Sequence, residues 1–170
     1  MSDTEATIDG HVSGIFITAN GGDPMTSCER VVAIAGAGLE GDRYANQLGS
    51  FSDRLREDRG REVTFIASEA IAAAAEATGT DFSPIESRRN ITTTGVALND
   101  LIGTRFRVGG AVIEAAAPCL PCTWLEELSG KPVMRHLLDA GGIRCRVIET
   151  GEIRLGDTFH PLGAIQEARA

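Results

Sequence analysis

The chain has 170 residues, enough for one domain with its own core, and its 42% hydrophobic and 24% charged content excludes a largely disordered protein. A net charge of −8 repels polyanions at long range, so neither a general nucleic-acid binder nor a protein of anionic membrane surfaces is expected. No run approaches the ~18 apolar residues of a membrane span, and residues 1–9 are acidic with no hydrophobic signal region, so a cytoplasmic protein with reduced cysteines is expected.

Residues 1–9 are read as a disordered tail. The stretch 11–18 carries Val12, Ile15, Phe16 and Ile17 and runs into the turn cluster Asn20-Gly21-Gly22-Asp23-Pro24, which predicts a strand closed by a turn. A second apolar run at 31–35 is stopped by Gly36 and Gly38. Residues 46–60 are polar and charge-rich without a period, and are expected to form a long surface loop. Strand-like runs follow at 63–67, 105–108, 111–116 and 143–148, with Gly109-Gly110 signalling a two-residue hairpin between two of them. Ser68 is placed to cap a helix over 69–78, with Gly79 as its stop. Thr123-Trp124-Leu125-Glu126 has the spacing of a capping box, for a helix that ends near Gly130. Pro132 sits at a favourable first helical position before the apolar face of Val133, Met134, Leu137 and Leu138, which predicts a third helix ending at Gly141-Gly142. After Pro161 a loose terminal helix is expected, and residues 163–170 are read as a tail. Aromatic residues make up only 5%, so the core should rest mainly on Val, Ile, Leu and Ala. Many short strands with glycine-rich turns and no regular βαβ alternation predict a mainly β fold. It is read as a closed, strand-rich β-barrel with a few short peripheral helices, one domain over residues 10–162.

Cys122 is the leading candidate for chemistry. It follows the Pro118-Cys119-Leu120-Pro121 turn and immediately precedes a predicted helix, where the dipole and exposed N–H groups favour thiolate, the nucleophilic and metal-ligating form. Cys119 and Cys122 form one C-x-x-C pair, which leaves a redox dithiol open; zinc would need further ligands, and His11, His136 and His160 are isolated. Gly38-Leu39-Glu40-Gly41-Asp42-Arg43-Tyr44 gives a tight backbone path bearing an Asp42–Arg43 pair, without the lysine and hydroxyl of a P-loop. Arg88-Arg89-Asn90-Ile91 is either a surface pair or an anion clamp. If the arginines enter a strand they point to opposite faces, so at most one should reach a pocket. Lys131 is the only lysine among 16 basic residues, and forked guanidinium contacts to phosphate or carboxylate are one reading of that bias. It is also the only residue able to form a Schiff base with pyridoxal phosphate, and nothing around it recommends that role.

Taken in order, these pieces resemble a MOSC domain, the domain named for the C-terminal part of molybdenum cofactor sulfurase. The resemblance runs from Gly22 and Met25 through the 38–44 segment, Arg61-Glu62-Val63-Thr64-Phe65-Ile66, and Arg88-Arg89-Asn90-Ile91 with Gly95. It continues through Leu98-Asn99-Asp100-Leu101-Ile102-Gly103, Cys122 before a Leu-rich helix, Gly141-Gly142, and Gly151-Glu152-Ile153 with Gly156-Asp157, covering roughly residues 10–160. It implies a closed barrel that binds the molybdenum cofactor, with Cys122 as catalytic cysteine, either molybdenum ligand or persulfide sulfur carrier. Asp42, Arg43, Arg88, Arg89 and Asn90 then belong to the cofactor-binding set. The implied activity is cofactor sulfuration or reduction of N-hydroxylated compounds, with a cysteine desulfurase or an electron-transfer protein as partner. A non-catalytic delivery module and a Cys119/Cys122 redox protein remain as alternatives, and the resemblance leaves Cys119 incidental or a resolving thiol.

Overall fold

The structure is a computed structural model, and it describes residues 6–48 and 60–166. In chain order the first strands are β1 (Ile8–Ile17), β2 (Thr26–Cys28), β3 (Arg30–Ile34), β4 (Gly38–Leu39) and β5 (Val63–Ala67), followed by helix α1 (Ser68–Thr78). Then come β6 (Ile91–Thr94), β7 (Thr104–Val108), β8 (Ala111–Pro118), helix α2 (Thr123–Ser129), β9 (Ile143–Glu149), β10 (Gly151–Arg154) and β11 (Thr158–Ala164). The main sheet runs β11-β7-β8-β9-β5-β6-β1, and β1 pairs back onto β11, closing a barrel of seven strands that leaves no open edge. β2 flanks β1, and β10-β3-β4 form a small second sheet. The expected mainly β barrel is therefore what the chain forms.

The β7–β8 hairpin turns at Gly109-Gly110, with Val108 opposite Ala111 as its closing pair. Antiparallel pairing holds around the barrel except at β5–β6, which run parallel across α1. That single βαβ unit buries β5 on both faces: Val63 and Phe65 point into the barrel, while Ile66 points out beneath the helices. α1 is alanine-rich, a composition of high helix propensity, and buries Ile71 and Ala74. With Phe82, Leu125, Val133 and Leu137 these form a second apolar cluster outside the barrel wall. Along β9 the alternation is clean, with Ile143, Cys145 and Val147 inside and Arg144 and Arg146 outside. Aromatic residues are scarce, yet the barrel centre belongs to three of them: the fully buried rings of Phe65, Phe106 and Phe159 meet with centroids 5.5, 5.6 and 6.1 Å apart. Such pairs add about 0.5–1.5 kcal/mol each beyond their burial.

Several expected boundaries are corrected. α1 is capped by Ala67 without a side-chain bond, and Ser68 instead hydrogen-bonds Thr94 at 2.9 Å. The capping box at 123–126 does not form: Cys122 is the N-cap, and Glu126 accepts from the Met134 amide at 2.9 Å. The third helix reduces to a single 3-10 turn at Met134–His136, since the span between Pro132 and Gly141 is too short for an autonomous helix and packs only through Val133 and Leu137. The terminal helix after Pro161 is strand β11, whose register shifts between Pro161 and Gly163, a bulge that tolerates proline inside a sheet. Strand β1 begins at Ile8 and β11 ends at Ala164, two residues outside the expected span of 10–162 on either side. Most of the expected loop at 46–60 lies outside the described residues. Among the described residues no helix is long and apolar enough to cross a membrane.

Candidate functional site: an arginine-lined cleft at Cys122

β8 ends at Pro118, and the chain runs on to Cys122 without the expected turn. Pro121 confines Leu120 to extended backbone, and Cys122 is itself extended (φ −137°, ψ 168°) as the N-cap of α2. This stretch is pinned from two sides. The Cys119 amide donates to the Gly142 carbonyl at 2.8 Å, and Arg89 donates through Nε to Gly141 O (2.9 Å) and through Nη2 to Cys119 O (3.3 Å) and Leu120 O (3.4 Å). Gly142 is left-handed (φ +95°), and a Cβ there would collide with the Phe65 carbonyl oxygen, so only glycine lets the loop lie this close to β5.

The resulting cleft has a volume of about 290 Å³ and is lined by five arginines, Arg43, Arg61, Arg88, Arg89 and Arg144, together with Tyr44, Thr64, Cys119, Cys122 and the loop's Pro118, Leu120 and Pro121. No carboxylate is among these lining residues. A branch of about 50 Å³ opens between Arg43, Tyr44, Arg88, Arg89, Cys122, Trp124 and Leu125. A larger groove of about 630 Å³ near His11, Thr94 and Thr158 holds neither thiol nor arginine, so the chemistry points to the smaller cleft.

Both Arg88 and Arg89 line the cleft, against the expectation that at most one could. Strand alternation does not apply to them, because β6 starts only at Ile91 and Arg88 is a left-handed residue (φ +61°) closing the 3-10 turn Pro84–Ser87. Arg88 Nη1 donates to Asp23 O at 2.7 Å, and the partners of Arg89 are carbonyls too. Among the described residues neither guanidinium is in a salt bridge with a carboxylate. Burial, and next the charge of Arg43, hold the Arg88 guanidinium below its ordinary pKa. Arg43 is different: its Nη1 lies 3.1 Å from Asp42 Oδ1 and 3.4 Å from Met25 Sδ, and its Nη2 donates to Arg88 O at 3.2 Å.

Asp42 and Asn90 are not lining residues; they build the walls. Asp42, fully buried, accepts from the Thr18 amide (3.2 Å), Arg43 Nη1 (3.1 Å) and the Tyr44 amide (3.3 Å). Asn90, also fully buried, accepts from the Thr64 amide (3.1 Å) and hydroxyl (3.2 Å) and donates to Phe16 O (3.2 Å), tying β1 to β5. Tyr44, Thr64, Arg61 and Arg144 join the cleft without having been singled out. For Arg144 the signal was present, since strand alternation turns it away from the core, but only the fold says what lies on that side. Of the remaining cysteines, Cys145 is fully buried in the barrel and burial pushes its thiol well up, while burial also raises Cys28. Among the described residues no group of three or more His, Cys, Asp and Glu is placed to hold a metal ion. Lys131 is engaged by Asp81 (2.7 Å) and Glu86 (2.6 Å), which gives its isolated position a structural purpose.

Fold and cleft together define a closed barrel with a cysteine lining an arginine-rich cleft. A family model for the MOSC domain matches residues 41–160, which takes in every one of the cleft's lining residues, and the chain belongs to the MOSC domain family. No curated protein matches the sequence. Among solved structures, the YuaD protein of Bacillus subtilis is similar with a TM-score of 0.77 and 18% identity, over 96% of this chain and 100% of that one. YiiM of Geobacillus stearothermophilus gives 0.70 and 17% over 91% and 75%, and YiiM of Escherichia coli gives 0.66 and 17% over 92% and 72%. At these identities the likeness is one of fold.

Proposed function

We propose that this chain is a molybdenum-cofactor-binding protein in which Cys122 serves as molybdenum ligand or as carrier of a persulfide sulfur. The observation that carries the reading is a cysteine on a cleft lined by five arginines and, among the described residues, by no carboxylate. The residues suit the group: a pterin dithiolene bearing a phosphate calls for a soft thiolate at one end and guanidinium at the other. Cys122 is the first, and Arg43, Arg88 and Arg89 are the second. The association of the MOSC family with this cofactor supports the same reading. Bound there, the cofactor would supply the metal centre, as acceptor of the sulfur in cofactor sulfuration or as redox centre in reduction of N-hydroxylated compounds.

The protein's own part is to hold and orient. Asp42 fixes Arg43, Arg89 staples the Cys119–Leu120 backbone, and Asn90 fixes the strand from which Thr64 faces the cleft. A separate protein, a cysteine desulfurase or an electron-transfer partner, delivers sulfur or electrons. The test is to produce the protein in a bacterium that makes the cofactor, purify it without air, and measure molybdenum and pterin per chain beside Cys122→Ser. Near-stoichiometric loading of the wild type and loss of molybdenum from the variant are expected. Equal loading of both proteins would remove Cys122 from the metal.

A further inference from the structure

We propose that Tyr44 is a further binding residue of this cleft, its phenol donating a hydrogen bond to an oxyanion seated in the branch between Arg43, Arg88 and Arg89. The proposal rests on reading the cleft as an anion site and adds a residue to it.

Tyr44 is only 9% exposed, lines both the cleft and its branch, and its hydroxyl hydrogen-bonds no described residue. The hydroxyl is reached from the cleft rather than sealed within the protein, so it can donate to what the cleft receives. Thr64 cannot play that role, because its hydroxyl is engaged with Asn90 both as donor (3.2 Å) and as acceptor (3.0 Å). The phenol is held in place beforehand. The Arg43 guanidinium lies 4.7 Å from the ring centroid, the Tyr44 amide donates to Asp42, and the Tyr44 carbonyl accepts from the Gln47 amide at 3.2 Å. Little reorganisation is needed when a ligand arrives.

Burial raises the phenol pKa, outweighing the nearby Arg43, so at neutral pH Tyr44 is a neutral donor and does not repel an anion. Cys119 also raises it, and Arg61 and Arg89 lower it. The branch, at about 50 Å³, has room for one small group of one or two waters' size and not for a whole cofactor. Its occupant is therefore a single oxyanion group such as the phosphate end of a larger ligand, taken by two carbonyl-held guanidinia, the Asp42-bound Arg43 and a phenol.

The chain carries one tyrosine and one tryptophan, and both line the branch, so each gives a spectroscopic signal from the site alone. Inorganic pyrophosphate serves as the probe, with affinity measured by calorimetry and Trp124 fluorescence on wild type and Tyr44→Phe, and folding checked by melting. Loss of a hydrogen bond to a charged group predicts binding weaker by about 10-fold or more in the variant. In the wild type, an anion bound to the phenol disfavours phenolate, so the tyrosinate absorbance midpoint should move to higher pH with saturating pyrophosphate. Equal affinity in Tyr44→Phe, or an unmoved midpoint with the probe bound, overturns the role of Tyr44 and leaves the anion site standing. No binding of pyrophosphate to the wild type removes both.

Discussion

Asn90 shows what a buried polar group means when its partners are counted. Every polar atom of the Asn90 side chain is bonded within the protein, so its purpose is met by the fold itself. Asn90→Ala strands the Thr64 amide and the Phe16 carbonyl, at about 2–4 kcal/mol for the two together. A melting temperature lower by roughly 5–15 °C is the expected result by calorimetry or circular dichroism. A variant that melts like the wild type would mean that Asn90 matters only to a ligand. The sequence marked Asn90, Asp42 and the arginines alike as candidates because residue type records what a group can bond. It does not record whether a neighbour has already taken that bond.

Among the elements, the loop at 119–122 depends on a glycine about 20 residues away in sequence. Gly142 brings β9 and the Cys119 loop against the Phe65 carbonyl, and no side chain fits between them. Gly142→Ala should therefore cost several times more stability than Gly79→Ala, where the αL cap of α1 faces open space and the cost is about 1 kcal/mol. Denaturant melts of the two variants side by side would decide it, with comparable losses speaking against the close packing. Helix ends marked by Gly79 and Gly130 were legible in sequence, because an αL residue carries its own local signature. Starts at Ser68 and Thr123 were misread, since a hydroxyl near a helix start has several partners to choose from. Ser68 took Thr94 on the neighbouring strand.

For the whole molecule, an excess of 24 acidic over 16 basic residues coexists with a cationic cleft, and acid should loosen the structure beside that cleft first. The hydrogen bond from Lys131 holds the Asp81 carboxyl below its usual range; burial raises Glu86, but bonds from Lys131 and Ser83 outweigh it and leave it low as well. Two carboxyls depressed by folding contribute stability that is present above their ordinary range, near pH 4–4.5, and lost as pH falls through the depressed values. Lys131 is raised, first by its bond to Asp81, so its share is present below its ordinary pKa and lost as pH rises through the raised one. Lys131→Met should thus lower the melting temperature most on the plateau between about pH 5 and 10, with the gap to wild type narrowing at about pH 3. A gap that is constant with pH would mean packing, not charge, is what Lys131 contributes.

The sequence by itself determined the strand-rich class, the hairpin at Gly109-Gly110, the alternating face of β9, the family, and the candidacy of Cys122 and the arginines. These are properties of neighbours along the chain, written as period, turn chemistry and motif order. The tertiary structure alone decided that β11 closes the barrel through a bulge at Pro161, and that Arg88 and Arg89 share one cleft because a left-handed turn precedes β6. It also decided that Tyr44, Arg61 and Arg144 complete that cleft while Asp42 and Asn90 are used up in its walls. Which donor meets which acceptor across tens of residues is fixed by closure and packing, and no local pattern in the chain encodes it.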